Sequence, residues 1–183
     1  MARARFPALE FDVRWRPYQL APDAPRGVGV NKLEHYRKKF GSERVSAMIP
    51  RMIATGKSEG IAFSYGGSIG NTLDSHRLAY QAREEGGSAL QDAVMELLFE
   101  AYFEQEKSMG DPEVLAGVAE KAGMATGAKV LEDPTFREDE VRAEMASFGR
   151  HVRGVPFFII DEQYALSGAQ EAATFLEVFE KVA

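Results

Sequence analysis

At 183 residues, 45% hydrophobic and 27% charged, the chain is long enough for a domain with a buried core and too apolar for a disordered segment. Its net charge of −6 argues against a general nucleic-acid binder, because neutralising phosphates needs a basic face. With no cysteine, these residues form no disulfide or thiolate metal site and carry no thiol redox chemistry of their own.

The start is basic at Arg3 and Arg5, but Glu10, Asp12 and Arg14 interrupt it before any apolar run of signal-peptide length. No window approaches ~18 uninterrupted apolar residues, so no transmembrane helix is expected, and a soluble cytoplasmic protein is the default. Leu9, Phe11, Val13 and Trp15 alternate with Glu10, Asp12, Arg14 and Arg16, which predicts a strand with one buried face, ended by Pro17. Trp15 would then pack in the core. Pro22, Pro25, Gly27 and Gly29 mark residues 21–30 as a loop.

From Asn31 to Gly149 the pattern is mostly helical. Asn31 caps a helix over Lys32–Phe40, and the next, opened by Ser42 and Glu43, carries Val45, Met48, Ile49, Met52 and Ile53 at helical spacing. Pro50 is expected to kink it and Gly56 to stop it. Gly60–Phe63 reads as short and extended. The loop Gly66–Gly70 leads to Asn71 and Thr72, which cap a helix to about Glu85. The longest helix is expected from about Ser88 to Glu106, with Leu90, Val94, Leu97, Leu98, Ala101 and Tyr102 on one face. Asp111-Pro112-Glu113 combines a cap, a first-turn proline and a first-turn acid, so a helix follows to Ala122 before Gly123. Shorter helices are predicted near Gly127–Leu131 and Phe136–Phe148.

The end of the chain has a different texture. Phe157–Ile160 and Tyr164–Ser167 are strand-length apolar runs split by Asp161-Glu162-Gln163, a β-hairpin pattern entered by Gly154-Val155-Pro156. On base rate the Val155–Pro156 bond is trans, since only ~5–6% of X–Pro bonds in folded proteins are cis. Apolar at every position, Phe157–Ile160 is expected to be central in its sheet and covered on both faces. A last helix over Ala172–Val182 turns Phe175, Leu176, Phe179 and Val182 inward. Strand, helical block, hairpin and helix in this order predict a layered α/β domain with a helical insertion.

Few chemical motifs stand out. His76 lies on a helix stripe with Leu73 and Tyr80, where a half-buried, satisfied histidine competes with a cleft-lining one. Gly66–Thr72 lacks the lysine of a phosphate-binding loop, and His35, Arg37, Lys38 and Lys39 read as a solvated helix face. No His-Glu-x-x-His, Gly-x-Ser-x-Gly or acidic metal box is present, so neither a catalytic residue nor a metal ligand is assigned.

Several stretches together resemble the DsbA-like thioredoxin-fold oxidoreductases, in the FrnE-like branch. They are Phe11–Leu20 (FDVRWRPYQL), Asn71–Leu78 (NTLDSHRL), Leu98–Phe103 (LFEAYF), Gly154–Phe158 (GVPFF) and Leu166–Gln170 (LSGAQ). The resemblance runs from about residue 9 to the C-terminus. It implies a thioredoxin-like fold with an inserted all-helical domain: residues 1–30 and 150–183 form a partial thioredoxin-like domain, and 31–149 the insertion. It also implies that Val155–Pro156 is the family's cis-proline loop, whose exposed backbone pairs with substrate beside the redox dithiol.

Family members begin with a strand, a Cys-x-x-Cys turn and a helix, whereas this sequence starts at what would be the second strand. The first strand and active-site helix are expected to be absent, and a shortened gene product ranks first among explanations. The function expected is a truncated disulfide-oxidoreductase family domain, redox-inactive because dithiol exchange needs an attacking and a resolving thiol. It would keep a site for a peptide or small thiol ligand at Gly154, Val155, Pro156, His76 and Gln170, with no cofactor, nucleic acid or membrane partner. Two alternatives stand beside it. One is a thiol-ligand enzyme like the kappa-class glutathione transferases or isomerases, in which the turn equivalent to Ser167–Gln170 helps hold glutathione. The other is a structural module completed by a partner chain, including a homo-oligomer joined through an exposed sheet edge.

Overall fold

Helices dominate the computed structural model, which describes residues 2–183; Met1, part of the basic start, lies outside the described residues. In chain order the elements are α1 (Ala2–Arg5), β1 (Val30–Asn31), α2 (Lys32–Phe40), α3 (Ser42–Ser58), β2 (Ser68–Ile69), α4 (Leu73–Phe103), α5 (Pro112–Ala122), α6 (Gly127–Glu132) and α7 (Glu138–Phe148). A short 3-10 turn (Gly149–His151) then leads to β3 (Phe157–Ile160), β4 (Tyr164–Ser167) and α8 (Ala172–Val182). No described helix is long and apolar enough to cross a membrane.

Local signals place most of these boundaries. The Asn31 side chain accepts from the Glu34 N–H at 2.9 Å, and that of Asp111 from the Glu113 N–H at 3.0 Å, each satisfying a first-turn donor. Gly123 ends α5 in the left-handed conformation. The helix over Ser42–Ser58 runs through Pro50 and two residues past Gly56. The break expected between a helix to about Glu85 and one from about Ser88 is present as non-helical φ/ψ at Gly86 and Gly87, so α4 is two helical halves joined at a bend, and the second half ends at Phe103 rather than Glu106. Two-residue strands β1 and β2, which the sequence reads as loop, pair antiparallel and close the base of α2.

The core lies among α4, α5 and α6, around Leu78, Ala82, Val94, Leu98, Leu115 and Val130. Two α4 side chains grip α6 at opposite ends. Glu85 accepts from the Ala125 and Thr126 N–H groups at 2.6 and 3.1 Å, where α6 begins. Arg77, buried, donates to the Val130 carbonyl at 2.6 Å, to the Asp133 carbonyl, and to the Phe136 carbonyl at 2.8 Å, where α6 has ended. Eight residues of helix rise about 12 Å and the six of α6 about 9 Å, so one helix face spans the other helix. A carboxylate sits at the positive end of α6 and a guanidinium at the negative end, as its dipole favours.

Two expectations fail at the sheet. Leu9–Trp15 is not a strand: it is irregular, and among the described residues no strand pairs with it. Alternation shows which side chains could be buried, but a strand also needs a neighbouring ladder. Instead the Gln91 amide brackets the Trp15 peptide, its Oε1 accepting the Trp15 N–H at 3.0 Å and its Nε2 donating to the Trp15 carbonyl at 3.1 Å. Trp15 stays outside the core, 37% exposed, its indole N–H donating to Asp92 at 2.7 Å. Nor is Phe157–Ile160 central and covered. Among the described residues it pairs only with β4, in register Phe157↔Ser167 to Ile160↔Tyr164, and Ile159 is 51% exposed. One face of this two-stranded sheet packs on α8, with Phe158 edge-on to Phe175 at 4.9 Å, while on the other face Ile159, Ala165 and Ser167 are exposed. Phe179 of α8 packs in turn against Phe6 and Phe11, and Arg5 pairs with Glu180.

Candidate functional site at the hairpin mouth

The hairpin closes through Asp161-Glu162-Gln163, with Asp161 and Glu162 at positive φ and the Gln163 N–H bonded to the Ile160 carbonyl. At the opposite, open end the chain enters β3 through Gly154, Val155 and Pro156, and the Val155–Pro156 peptide is cis. Beyond the last β-pair, the Gly168 N–H donates to the Pro156 carbonyl at 2.9 Å. Gly168 has φ +79°, which a glycine adopts freely and which turns the chain from β4 toward α8. Within that turn the Gln170 side-chain amide donates to the Ser167 carbonyl at 2.9 Å. Gly154, Val155, Pro156 and Gln170 therefore gather at one end of the hairpin.

Val155 is 46% exposed and Pro156 is exposed beside it. Among the described residues no hydrogen bond engages the Val155 N–H or carbonyl. Peptide groups at the end of a strand, left open and flanked by an apolar side chain, can accept an extended segment by β-augmentation. Gly154, Val155, Pro156 and Ser167–Gln170 carry no acidic, basic or histidine side chain, so what they offer a ligand is backbone, amide, hydroxyl and apolar contact.

His76 is elsewhere. It lines a cavity of about 40 Å³ with Trp15, Arg16, Pro17, Tyr80 and Glu144, and none of Gly154, Val155, Pro156 and Gln170 reaches that cavity. Its Nε2 lies 3.3 Å from the Thr72 hydroxyl. Burial pushes its pKa down to about 4, against the opposing influence of the Tyr18 backbone, so the imidazole is neutral at pH 7. A helix-stripe histidine, half-buried and satisfied, is what the structure contains. Charge around the cavity is balanced by pairing: Arg14 and Arg16 both reach Glu144 Oε1, at 2.6 and 2.5 Å. Arg16 also stacks over Phe148 at 4.1 Å, and Arg83 binds Asp12 and holds its carboxyl below the usual range.

Sequence reasoning missed three side chains that position these parts, Gln91 and Arg77 buried and Glu85 half-buried. Gln91 fastens Trp15, Arg77 and Glu85 fasten α6, and all act on partners 40 or more residues away in at least one bond. Their only signal in the sequence is a polar residue on a helix face otherwise apolar. Among the described residues no group of three or more His, Asp or Glu is arranged to hold a metal.

Comparison with known proteins fits this architecture. The sequence matches the DSBA-like thioredoxin domain over residues 2–180. The crystal structure of a probable DsbA oxidoreductase from Streptomyces coelicolor is similar at a TM-score of 0.79 and 29% identity, over 91% of this chain and 73% of that one. No curated protein matches it. A mostly helical α/β structure with a cis-proline hairpin, carrying this match over nearly its whole length, belongs to the DSBA-like thioredoxin domain family.

Proposed function

We propose that this DsbA-like oxidoreductase-family domain binds an extended peptide or small thiol ligand at the hairpin mouth and performs no dithiol exchange with residues 1–183 alone. The observation that supports the binding is the open Val155 peptide, exposed beside Pro156 and the Ser167–Gln170 turn. In this reading residues 1–30 and 150–183 are the ligand-facing unit and 31–149 a helical insertion. His76 contributes to the fold of α4 rather than to the ligand. The chemistry follows from composition: exchange begins with a thiolate attacking a disulfide sulfur and ends when a second thiol resolves the mixed disulfide, and the chain has neither.

Insulin reduction by dithiothreitol tests the inactive half of the proposal. Adding the purified chain should leave the rate unchanged, and a dose-dependent acceleration would overturn it. Calorimetric titration tests the binding half, with an extended peptide and with glutathione as separate ligands. Saturable binding that falls about tenfold or more in Val155→Asp and Gln170→Ala is expected. Heat with glutathione alone would favour the transferase-like reading, and no heat with either would end both.

A second reading is supported by the open outer edge of β3 and the 51% exposure of Ile159: two copies of the chain join through this edge. Sedimentation should then show a dimer that Ile159→Lys converts to monomer. A monomer at every concentration rules it out.

A further inference from the structure

Charge is distributed unevenly along this acidic chain. Residues 31–58, which are α2, α3 and their cap, hold seven Lys and Arg against two Glu. Their net charge is +5, so with −6 overall the remaining residues carry −11. Lys32 is buried, its Nζ over the Tyr102 ring at 3.9 Å and donating to the Tyr102 carbonyl at 2.8 Å. The other six, Arg37, Lys38, Lys39, Arg44, Arg51 and Lys57, are exposed, and none is in an ion pair among the described residues. Elsewhere several arginines are paired, Arg14 and Arg16 on Glu144, Arg77 on Asp74 and Arg83 on Asp12, while Arg26, Arg150 and Arg153 are exposed singly rather than clustered on one helix pair.

Apolar side chains lie among these free cations. Of the α3 residues only Val45 and Gly56 are buried, Gly56 against the Phe63 ring. Met52 and Ile53 are 37% and 42% exposed, with Phe40 at 41% and Ile61 at 37% near the two ends of the helix. Arg44, Met48, Arg51 and Met52 recur at i, i+4, i+7 and i+8, so guanidinium groups and flexible thioethers share one stripe.

We propose that the exposed face of the α2–α3 pair docks an acidic polypeptide segment that carries apolar side chains. The charge fits: six unpaired cations meet carboxylates, while the −11 on the other residues repels polyanions too large to stay on this face. The apolar area fits too. α3 is buried only near its two ends, at Val45 and Gly56, and between them Met52 and Ile53 stand exposed as separate apolar points that suit single side chains of a peptide. A helix lying in a bilayer interface needs its whole apolar face free. Methionine adapts its shape to varied partners, which suits a surface reading a composition rather than one sequence.

Fluorescence anisotropy with the full chain tests this, using a labelled peptide alternating Glu with Leu and Phe, its Lys counterpart, and a Glu–Ser peptide. The Glu–Leu/Phe peptide should bind saturably, at least about tenfold tighter than the other two, and more weakly as salt rises, since exposed charges are screened within about 10 Å at 0.1 M. Lys38→Glu/Lys39→Glu/Arg51→Glu and, separately, Met52→Ser/Ile53→Ser should each lose about tenfold, with circular dichroism confirming that both fold. Equal binding of the Lys peptide, or binding that survives the triple charge reversal, would overturn the proposal, as would no saturable binding. So would phosphatidylserine vesicles bound in place of the peptide, or self-association of the chain abolished by the same triple reversal.

Discussion

A neutral imidazole at His76 makes folding sensitive to acid. In the unfolded chain a histidine titrates near 6.5, and in the folded protein burial lowers this to about 4. Between these values the unfolded state binds the extra proton. Stability is therefore unaffected above about pH 6.5 and declines by at most about 1.4 kcal/mol for each pH unit below it, until the folded form protonates near 4. His76→Gln should flatten this part of the stability profile in urea titrations at pH 7, 6 and 5. In the intact chain the His76 ring resonances should not shift between pH 5 and 8; a midpoint near 6.5 would show that the ring is solvated. The sequence placed this histidine on the right helix stripe, because i, i+3 and i+4 neighbours are set by helix geometry alone. It did not disclose which loop covers the ring, because residues 15–17 arrive from outside the helix.

At the level of elements, the clamp on α6 carries the clearest energetic consequence. A six-residue helix is too short to hold itself together, since nucleation costs more than so few hydrogen bonds return. Glu85 supplies acceptors at its start, and these hydrogen bonds, that of the Thr126 hydroxyl first, hold the carboxyl below its ordinary value of 4.5. A depressed carboxylate contributes fully above that ordinary value, and the contribution fades as pH falls through the lowered one. Glu85→Ala should destabilise by about 1–3 kcal/mol, as expected for charge-assisted bonds lost from N–H groups left without partners. Glu85→Gln should cost less and reduce the loss of stability below pH 4.5; melting curves at pH 7 and pH 4 check both. Unchanged melting in Glu85→Ala would show that water replaces the carboxylate. Caps such as Asn31 and Asp111 are legible in sequence because they act within three residues, whereas the clamp joins positions 40 and more apart. The hairpin was legible for the local reason too. Its burial was not: the run Phe157–Ile160 suggested cover on both sides, and Ile159 shows that an apolar run reports what a strand could bury rather than what faces it.

Across the whole molecule, burial is uneven. Leu78, Val94, Leu98, Leu115 and Val130 are almost wholly buried among α4, α5 and α6, while in the last 30 residues Val178 alone reaches that class. Stability should follow the same division, because regions with few buried contacts open at lower free energy than the core. Native-state hydrogen exchange should find the slowest amides in α4 and α5, and should find β3, β4 and residues 9–17 exchanging through smaller openings. Equal protection throughout would show that hairpin and helices unfold as one unit. The helical core was legible from periodicity. The thin sheet was not, because strand pairing depends on partners remote in sequence, and the alternation of Leu9–Trp15 has no ladder to join.

Gln91 ties these scales together mechanically. The amide that holds the Trp15 peptide also donates to the Ala79 carbonyl at 3.1 Å, across the Gly86–Gly87 bend of α4. One side chain is thus both a fastening of the irregular N-terminal strap, residues 9–17, beside the Trp15–Asp92, Arg83–Asp12 and Glu144 bonds, and a brace between the halves of a bent helix. A ladder shares load over repeating rungs and can slip by two residues; a bracket on one residue's N–H and carbonyl has no next rung, so it can only hold or release. Straightening α4 would carry Gln91 away from Ala79 or from Trp15, so the angle of the helix and the position of the strap are not independent variables. Because Arg14 and Arg16 on either side of Trp15 grip Glu144, that tension would pass on to α7, the last helix before the hairpin mouth.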